Sequence, residues 1–527
     1  MKRKNRYIVI PKKPFAAAFA AALLLSGCAG AASDAGTGTA SSPAGEPVTG
    51  GTLRVLEVAQ PTGFDPVQAF SSTSMPVTFT ALYGQFIIAN PQTGDYECGL
   101  CESFTTDDGG STWDVVTREG MTFTDGTAFD AEAIKYNWDR IKDPALGSAS
   151  AGIASQIDNI EIVDDRTARL HMVVPTPGFI GLMPIYSLQW IASPTALEAG
   201  QEAFNKNPIG AGPFVFESWS PGGVLKLKKN DNPAGEPAKL DALEIQGVAD
   251  NSQRLNALVS GQADMILNSD ETLFVDAEGA GFTNHIYTFN GGVGFMVNTA
   301  KPPFDDVRAR QALAYAVDLE QVATVINRGN GTPPQTLFQE ESPFYSDIPL
   351  HTYDPKKAQQ LFDELANEGK PVDFTYTVFP GTGPVTFDAL QAQLAAYENV
   401  TITADQRDTS EQGVVTTVGD YHLATSSLAF VDPASRLWGA LNGEADRTNY
   451  SRINDPELNA ALDAAIATTD VEEQKKQYEI VQERLAETAP YLLFQKYLNG
   501  AITTDKVQGV TMYGYTTPAA GNLWLQK

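Results

Sequence analysis

The 527-residue chain has three cysteines and four histidines, and no catalytic signature is built on either. His171, His285, His351 and His422 are scattered, with no H-x-x-x-H or H-E-x-x-H spacing. Neither a metal centre nor a Cys–His nucleophile is therefore supported. The sequence has no G-x-x-x-x-G-K-[ST] phosphate loop, no G-x-S-x-G elbow and no strand-linked G-x-G-x-x-G, which removes the nucleotide-binding and serine-hydrolase readings those motifs carry. Paired carboxylates stay open, because 64 acidic residues create chance pairs anywhere. Basic charge is scarce: 36 Lys and Arg leave a formal charge of −28. Such a chain lacks the basic patch that nucleic acid or an anionic surface requires. No catalytic residue, metal or cofactor is expected.

Long apolar runs are missing too, with one exception at the start. Lys2, Arg3, Lys4, Arg6, Lys12 and Lys13 form a basic head, and Phe15 to Leu25 is an apolar run of Ala, Leu and Phe. That run is too short to span ~30 Å of hydrocarbon but suits a signal peptide. Leu25-Ser26-Gly27-Cys28 follows and resembles a bacterial lipobox, in which the thiol takes a lipid. No twin arginine is present, so export through the general secretory route is expected. Residues 1–27 then read as a lipoprotein signal peptide and 28–50 as a tether rich in Ala, Gly, Ser, Thr and Pro, which cannot bury enough surface to order itself. Removing six basic residues from 36 leaves 30 against 64 acids, or −34. The expected place is the outer face of the cell membrane, held by lipid on Cys28.

Cys98 and Cys101 form a lone C-x-x-C with three readings: a short-loop disulfide, two free thiols, or a redox or zinc role. Outside the membrane the disulfide ranks first and the metal role last, since no second cysteine pair exists. Along the body, strands and helices alternate in the manner of α/β lobes. Thr52 to Val58 reads as a strand, Trp113 to Val116 and Met121 to Phe123 as a hairpin about Glu119-Gly120, and 160–163 with 168–173 as a second strand pair. Helices are expected over 131–140, 307–325, 354–365, 456–467 and 471–487, and a buried strand over 491–494. Arg308 and Arg310 are candidates to pair with Asp305, Asp306 or Asp318.

From about Gly50 onward the chain resembles the extracellular solute-binding proteins that serve peptide/nickel-type ABC importers (family 5). The resemblance rests on Gly51-Thr52-Leu53 to Phe64-Asp65-Pro66, Glu102-Ser103-Phe104, Asp107-Asp108-Gly109, Phe123-Thr124-Asp125-Gly126 and Phe129-Asp130-Ala131-Glu132. It continues through Asn207 to Phe214 (NPIGAGPF), Arg254 to Asp264 (RLNALVSGQAD) and Pro303 to Asp318 (PFDDVRARQALAYAVD). These blocks read mostly as scaffold, with Gly210 and Gly212 in a turn where the backbone bends or comes close to other backbone. The resemblance implies an α/β, two-lobed periplasmic-binding-protein-like fold (class II, cluster C type), with an extra subdomain in the first lobe and a hinge between lobes. The implied division is lobe I over 51–297 with an inserted subdomain at about 77–197, lobe II over 298–504, and a return to lobe I over 505–527. Crossings between lobes are expected near 290–300 and 500–512.

At the ligand contacts the chain departs from its peptide-binding relatives, which carry W-x-x-D-Y-x-D/E-P. Here the stretch is Ser426-Ser427-Leu428-Ala429-Phe430-Val431-Asp432-Pro433, so Ala429 stands where the family's ammonium-pairing acid would be. Gln60 is likewise neutral where some peptide binders have an acid. The expected cleft residues are Gln60, Tyr83, Trp190, Phe295, Asn298, Phe430 and Trp438, aromatics for stacking and amides for orientation. The resemblance implies a non-catalytic receptor, working as a monomer, that captures a small-molecule or peptide ligand and delivers it to ABC permease subunits. The alternative is a sensor or enzyme on the same fold. Within the first reading a non-peptide solute is the sharper expectation and nickel the weakest. Cys28→Ala should release the body from the membrane, or leave it on an uncleaved signal, with ligand affinity unchanged. Fractionation followed by calorimetry on the soluble body checks both halves of that expectation.

Overall fold

The computed structural model describes residues 46–69, 75–90, 95–408, 411–445, 448–468, 470–513 and 517–527. The expected signal peptide, Cys28 and most of the tether lie outside the described residues.

Part of the chain's acidity belongs to helix starts. Asp130, Asp250, Asp318, Asp354, Asp455 and Asp470 each accept a backbone N–H from the first turn of the helix that follows. A carboxylate there satisfies an orphan donor and faces the positive end of the helix dipole, worth about 1 kcal/mol per cap. The same chemistry breaks the single helix expected over 307–325 into Val307–Ala316 and Leu319–Ile326, because Asp318 leaves helical geometry to cap the second. Arg308 pairs with Asp306 at 2.7 Å and with Glu368 at 2.7 Å. Arg310 finds no acid; it is buried and donates to the carbonyls of Thr488 and Phe304, each at 2.7 Å.

Three larger sheets carry the architecture. The first is seven-stranded, in the order Thr283–Thr288, Leu498–Thr503, Met265–Asn268, Thr52–Glu57, Ala242–Gly247, Leu225–Lys229, Phe214–Ser218. The second is five-stranded: Val400–Gln406, Val372–Val378, Leu423–Ser427, Val293–Val297, Tyr491–Gln495. Side chains alternate across both, as the period of two demands. Met265 and Leu267 enter one core and Ile266 another. Phe295 and Val297 pack on one face of the second sheet and Met296 on the other.

The third sheet is four-stranded and antiparallel: Cys101–Thr105, Thr112–Thr117, Thr167–Met172, Ile157–Ile162. Trp113 and Trp138 fill its core, and each indole N–H reaches a carbonyl, on Thr176 at 3.2 Å and Leu188 at 3.0 Å. The hairpin expected between 113–116 and 121–123 does not form. Thr112–Thr117 pairs with the strands on either side of it in this sheet, and Met121–Phe123 instead folds back on 127–129, with Phe123 N–H on Thr127 O and Phe129 N–H on Met121 O. Cys98 and Cys101 are disulfide-bonded, Cα–Cα 5.0 Å.

The NPIGAGPF segment packs against the end of the helix Pro76–Tyr83. A Cβ at Gly210 would lie 2.1 Å from Leu82 O, and one at Gly212 2.4 Å from Ala81 O, while Gly212 N–H donates to Leu82 O at 2.9 Å. Only glycine allows that approach.

The chain passes from the first large sheet to the second at 289–292 and returns at 496–497. Val293–Val297 therefore belongs with the second sheet and Leu498–Thr503 with the first, each across the boundaries of 297/298 and 504/505 that the sequence suggests. A strand belongs to whichever sheet satisfies its N–H and C=O groups, and apolar pattern does not say which sheet that is.

Glu57 ends the first strand with 1% of its surface exposed. It accepts the N–H groups of Val77 and Thr78 at 2.8 and 3.2 Å and the Thr78 hydroxyl at 2.6 Å, fastening the helix Pro76–Tyr83 to the sheet. Burial pushes its carboxyl up to about 7 against those three hydrogen bonds. The folded chain thus holds the proton more tightly than the unfolded chain. That contribution to stability is complete below the ordinary carboxyl value of 4.5 and is lost as pH rises through about 7. Denaturant melts should show Glu57→Gln gaining on the native chain by on the order of 3 kcal/mol between pH ~4.5 and ~8. A stability gap independent of pH would remove Glu57 from this role.

Candidate functional site

The two passages between the large sheets lie side by side. Phe289 N–H donates to Tyr497 O at 3.0 Å, and their rings meet edge to face with centroids 4.9 Å apart. Asn290 exchanges both backbone hydrogen bonds with Phe430, each 3.1 Å, and Leu428 N–H donates to Gly292 O at 2.8 Å. Gly291 has φ +67°, and a Cβ there would sit 2.2 Å from Leu428 O. At Gly292 it would sit 2.5 Å from Gln495 O. The glycine pair lets one passage touch both the other passage and the segment 428–430 that leads into the helix Pro433–Leu441.

That helix starts against the opposite lobe. Asp432 caps it by accepting Ala434 N–H at 3.0 Å. Its carboxyl also hydrogen-bonds the Tyr96 hydroxyl. A Cβ on Gly181, from the subdomain that also carries Tyr96, would lie 2.4 Å from Asp432 Oδ2 and 2.8 Å from the Tyr96 hydroxyl oxygen. Burial between the lobes pushes the Asp432 carboxyl up, and the hydrogen bonds from Ala434 and Tyr96 oppose it. On the other flank, Thr272 Oγ1 donates to Asn327 O at 3.1 Å. The lobes therefore touch on two flanks.

A polar cluster follows on the same helix. Arg436, one turn into the helix, donates through Nη2 to Ser427 O at 2.6 Å. Tyr186 faces it from the first lobe: burial pushes its phenol up, the Arg436 charge pulls it down, and Tyr450 adds a smaller upward push. Tyr491 stands on the second sheet with 8% of its surface exposed. Burial pushes its phenol up to about 12, opposed by Arg436 and by a hydrogen bond with Ser426. One guanidinium, hydroxyls from both lobes and a mostly covered setting can hold a small polar solute; no proton-transfer pair is among them.

The family model for bacterial extracellular solute-binding proteins, family 5, matches residues 95–447. This chain belongs to that family. Glutathione-binding protein GsiB of Shigella boydii serotype 4 is 26% identical over 458 residues, spanning 82% of this chain and 86% of that protein. Among solved structures, HbpA2 from Haemophilus parasuis covers 90% of this chain and 100% of its own at TM-score 0.77 and 20% identity. DppA from Helicobacter pylori, in complex with peptide STSA, covers 91% and 99% at 0.73 and 21%. AgaA from A. tumefaciens R10, in complex with agropinic acid, covers 90% and 99% at 0.72 and 25%. The two-lobed fold is the one this family 5 protein shares with them.

The cleft residues expected from sequence are mostly elsewhere in this solute-binding protein. Tyr83 and Trp190 are fully buried in the core of the first lobe, Tyr83 donating to Phe64 O and Trp190 packing on Phe79. Phe295 is fully buried among Tyr376 and Phe494, and Phe430 is 1% exposed against Phe338. These four aromatics fill three separate cores: Tyr83 ends the helix Pro76–Tyr83, Trp190 and Phe430 lie in connecting segments, and Phe295 is on a strand covered on both faces. Asn298 is a fastener, donating to the carbonyls of Gly419 and Tyr421 at 2.9 and 3.1 Å. Trp438 ties its helix to the next through Asp463 Oδ1 at 2.8 Å. Gln60 donates to Gly247 O at 2.5 Å and leaves its buried Oε1 without a partner. Arg436, Tyr186, Tyr450 and Tyr491 escaped the sequence reading. For Arg436 a signal existed: four residues after a capping Asp, it shares that residue's face of the helix.

Gly181→Ala places a methyl where Asp432 and Tyr96 meet and should hold the lobes apart. Small-angle scattering of the variant should give a larger radius of gyration than the native chain, with circular dichroism unchanged; equal radii would show that this contact does not govern closure.

Proposed function

We propose that this protein is the extracytoplasmic receptor of an ABC importer, capturing a small organic solute or peptide between its lobes and handing it to a membrane permease. The observation that carries the reading is that the lobes meet through the Asp432–Tyr96 and Thr272–Asn327 contacts, with Arg436 on the helix that Asp432 starts and its charge acting on Tyr186 of the other lobe. Two lobes joined by two short passages can open and close around such a site. Among the neighbours one structure holds a peptide and another agropinic acid, so the fold accommodates both kinds of ligand.

A non-peptide solute fits this chain better. Position 429 is Ala, and Asp432 is already engaged by Tyr96 and the helix start. A peptide's α-ammonium would lose water without gaining a counter-charge from either position, at a cost of several kcal/mol. Nickel ranks last on the scatter of His171, His285, His351 and His422 along the sequence. The receptor works as a monomer, tethered by lipid on Cys28. Nothing in the cluster favours the enzyme or sensor alternative.

Mass spectrometry of whatever copurifies, with thermal-shift screening against oligopeptides, sugars, aromatic acids and metal chelates, tests this reading. A copurifying or stabilising non-peptide solute is the expected result. Stabilisation by peptides alone would overturn the non-peptide assignment, and no bound solute by either method would overturn the receptor.

A further inference from the structure

We infer that the captured solute carries an oxyanion, a carboxylate or a phosphate, and that Arg436 pairs with it inside the cleft; this rests on the receptor reading above. The argument begins with what arginines do elsewhere in the chain. Arg54, Arg140, Arg169, Arg308, Arg407 and Arg484 each make an ion pair of 2.9 Å or less. The buried Arg254 and Arg310 have no such pair but donate to two carbonyls each. Arg436 follows neither pattern; Arg118 likewise donates to a single carbonyl, Cys98 O at 3.2 Å, without an ion pair among the described residues, but only Arg436 stands on the helix that starts against the opposite lobe. It is partly buried, and among the described residues it makes one hydrogen bond, to Ser427 O, and no ion pair.

A guanidinium presents five N–H donors in a planar fork, so a single carbonyl leaves most of that capacity unused. In a chain of 64 acidic residues the missing counter-charge is not a matter of supply. The helix bearing Arg436 starts against Gly178 and Gly181 of the first lobe, and the Arg436 charge acts on the phenols of Tyr186 and Tyr491. The Tyr491 hydroxyl is engaged by Met296 Sδ at 3.2 Å and by Ser426, which leaves the neutral Tyr186 phenol to donate to an oxyanion without competing for the guanidinium as a carboxylate would. Closing the lobes removes water from Arg436, and a charge desolvated in this way is destabilising until an anion meets it. A planar oxyanion taken by the fork through two parallel hydrogen bonds supplies that charge and fixes the solute's orientation. Tyr186 belongs to one lobe and Arg436 to the other, so the same anion draws the lobes together.

The test uses the intact purified protein and matched compounds: aliphatic and aromatic carboxylic acids against their amides, and sugar phosphates against the free sugars. Titration calorimetry should show the anionic member of a binding pair at least about tenfold tighter than its neutral counterpart, and only the carboxylate or only the phosphate arm should respond. Arg436→Gln should abolish that preference while leaving the unliganded Tm within ~2 °C, and Arg436→Lys should restore part of it. Equal affinity for acid and amide, or a preference that survives Arg436→Gln, overturns the inference while leaving the receptor intact. The acid–amide comparison on the native chain stands even where the variant fails to fold. Silence from every anionic compound overturns the inference as well, and the mass spectrum of copurifying material then tells whether the receptor reading falls with it.

Discussion

The backbone at 289–292 has to satisfy several neighbours within four residues. It carries the chain from one large sheet to the other, pairs with Phe430, receives Leu428 N–H, and lies beside the return passage at Tyr497. Each contact fills a backbone group that would otherwise be buried without a partner. The glycines at 291 and 292 are the condition for it, since a Cβ at either would collide with a carbonyl oxygen. The polar cluster depends on this junction. The segment bolted to the passage is the one that ends in Asp432 and launches the helix bearing Arg436, so that helix is joined to the passage at 289–292 through paired backbone rather than through a loose loop.

Charge in this family 5 protein is organised against that frame. Acids at helix starts meet backbone donors, and acids on the surface meet the arginines that pair with them. The result is a strongly negative molecule, with a formal charge of −28, in which Arg436 stands without an ion pair among the described residues. A negative surface with a local positive site repels anions at a distance, within the ~8 Å over which salt leaves charges visible, and attracts them only on entry.

Local rules in the sequence were legible where the neighbours in space are also neighbours in the chain. Pro355 after Asp354 and Pro456 after Asp455 mark helix starts, and both helices begin there. The strands about Asp164-Asp165 pair as their turn suggests. Thr112–Thr117 shows the limit: its nearest candidate partner in sequence was passed over for strands that complete a sheet on both its edges. The same limit separated the expected cleft aromatics from the cleft. Phe295 alternates correctly in its strand, yet alternation names two faces and does not say which is covered, and here both are.

The order of blocks along the chain was enough to establish the family and with it the two-lobed fold, because those blocks are local turns and caps whose chemistry is carried by a few adjacent residues. The absence of an acid at Ala429 was likewise written in the sequence alone. Which residues of the two lobes meet was decided only in three dimensions. Tyr186 and Arg436 are 250 positions apart, and they face one another because two passages of a few residues bring one lobe over the other. Nothing in either residue's own neighbourhood encodes that meeting; it follows from which strands complete which sheet.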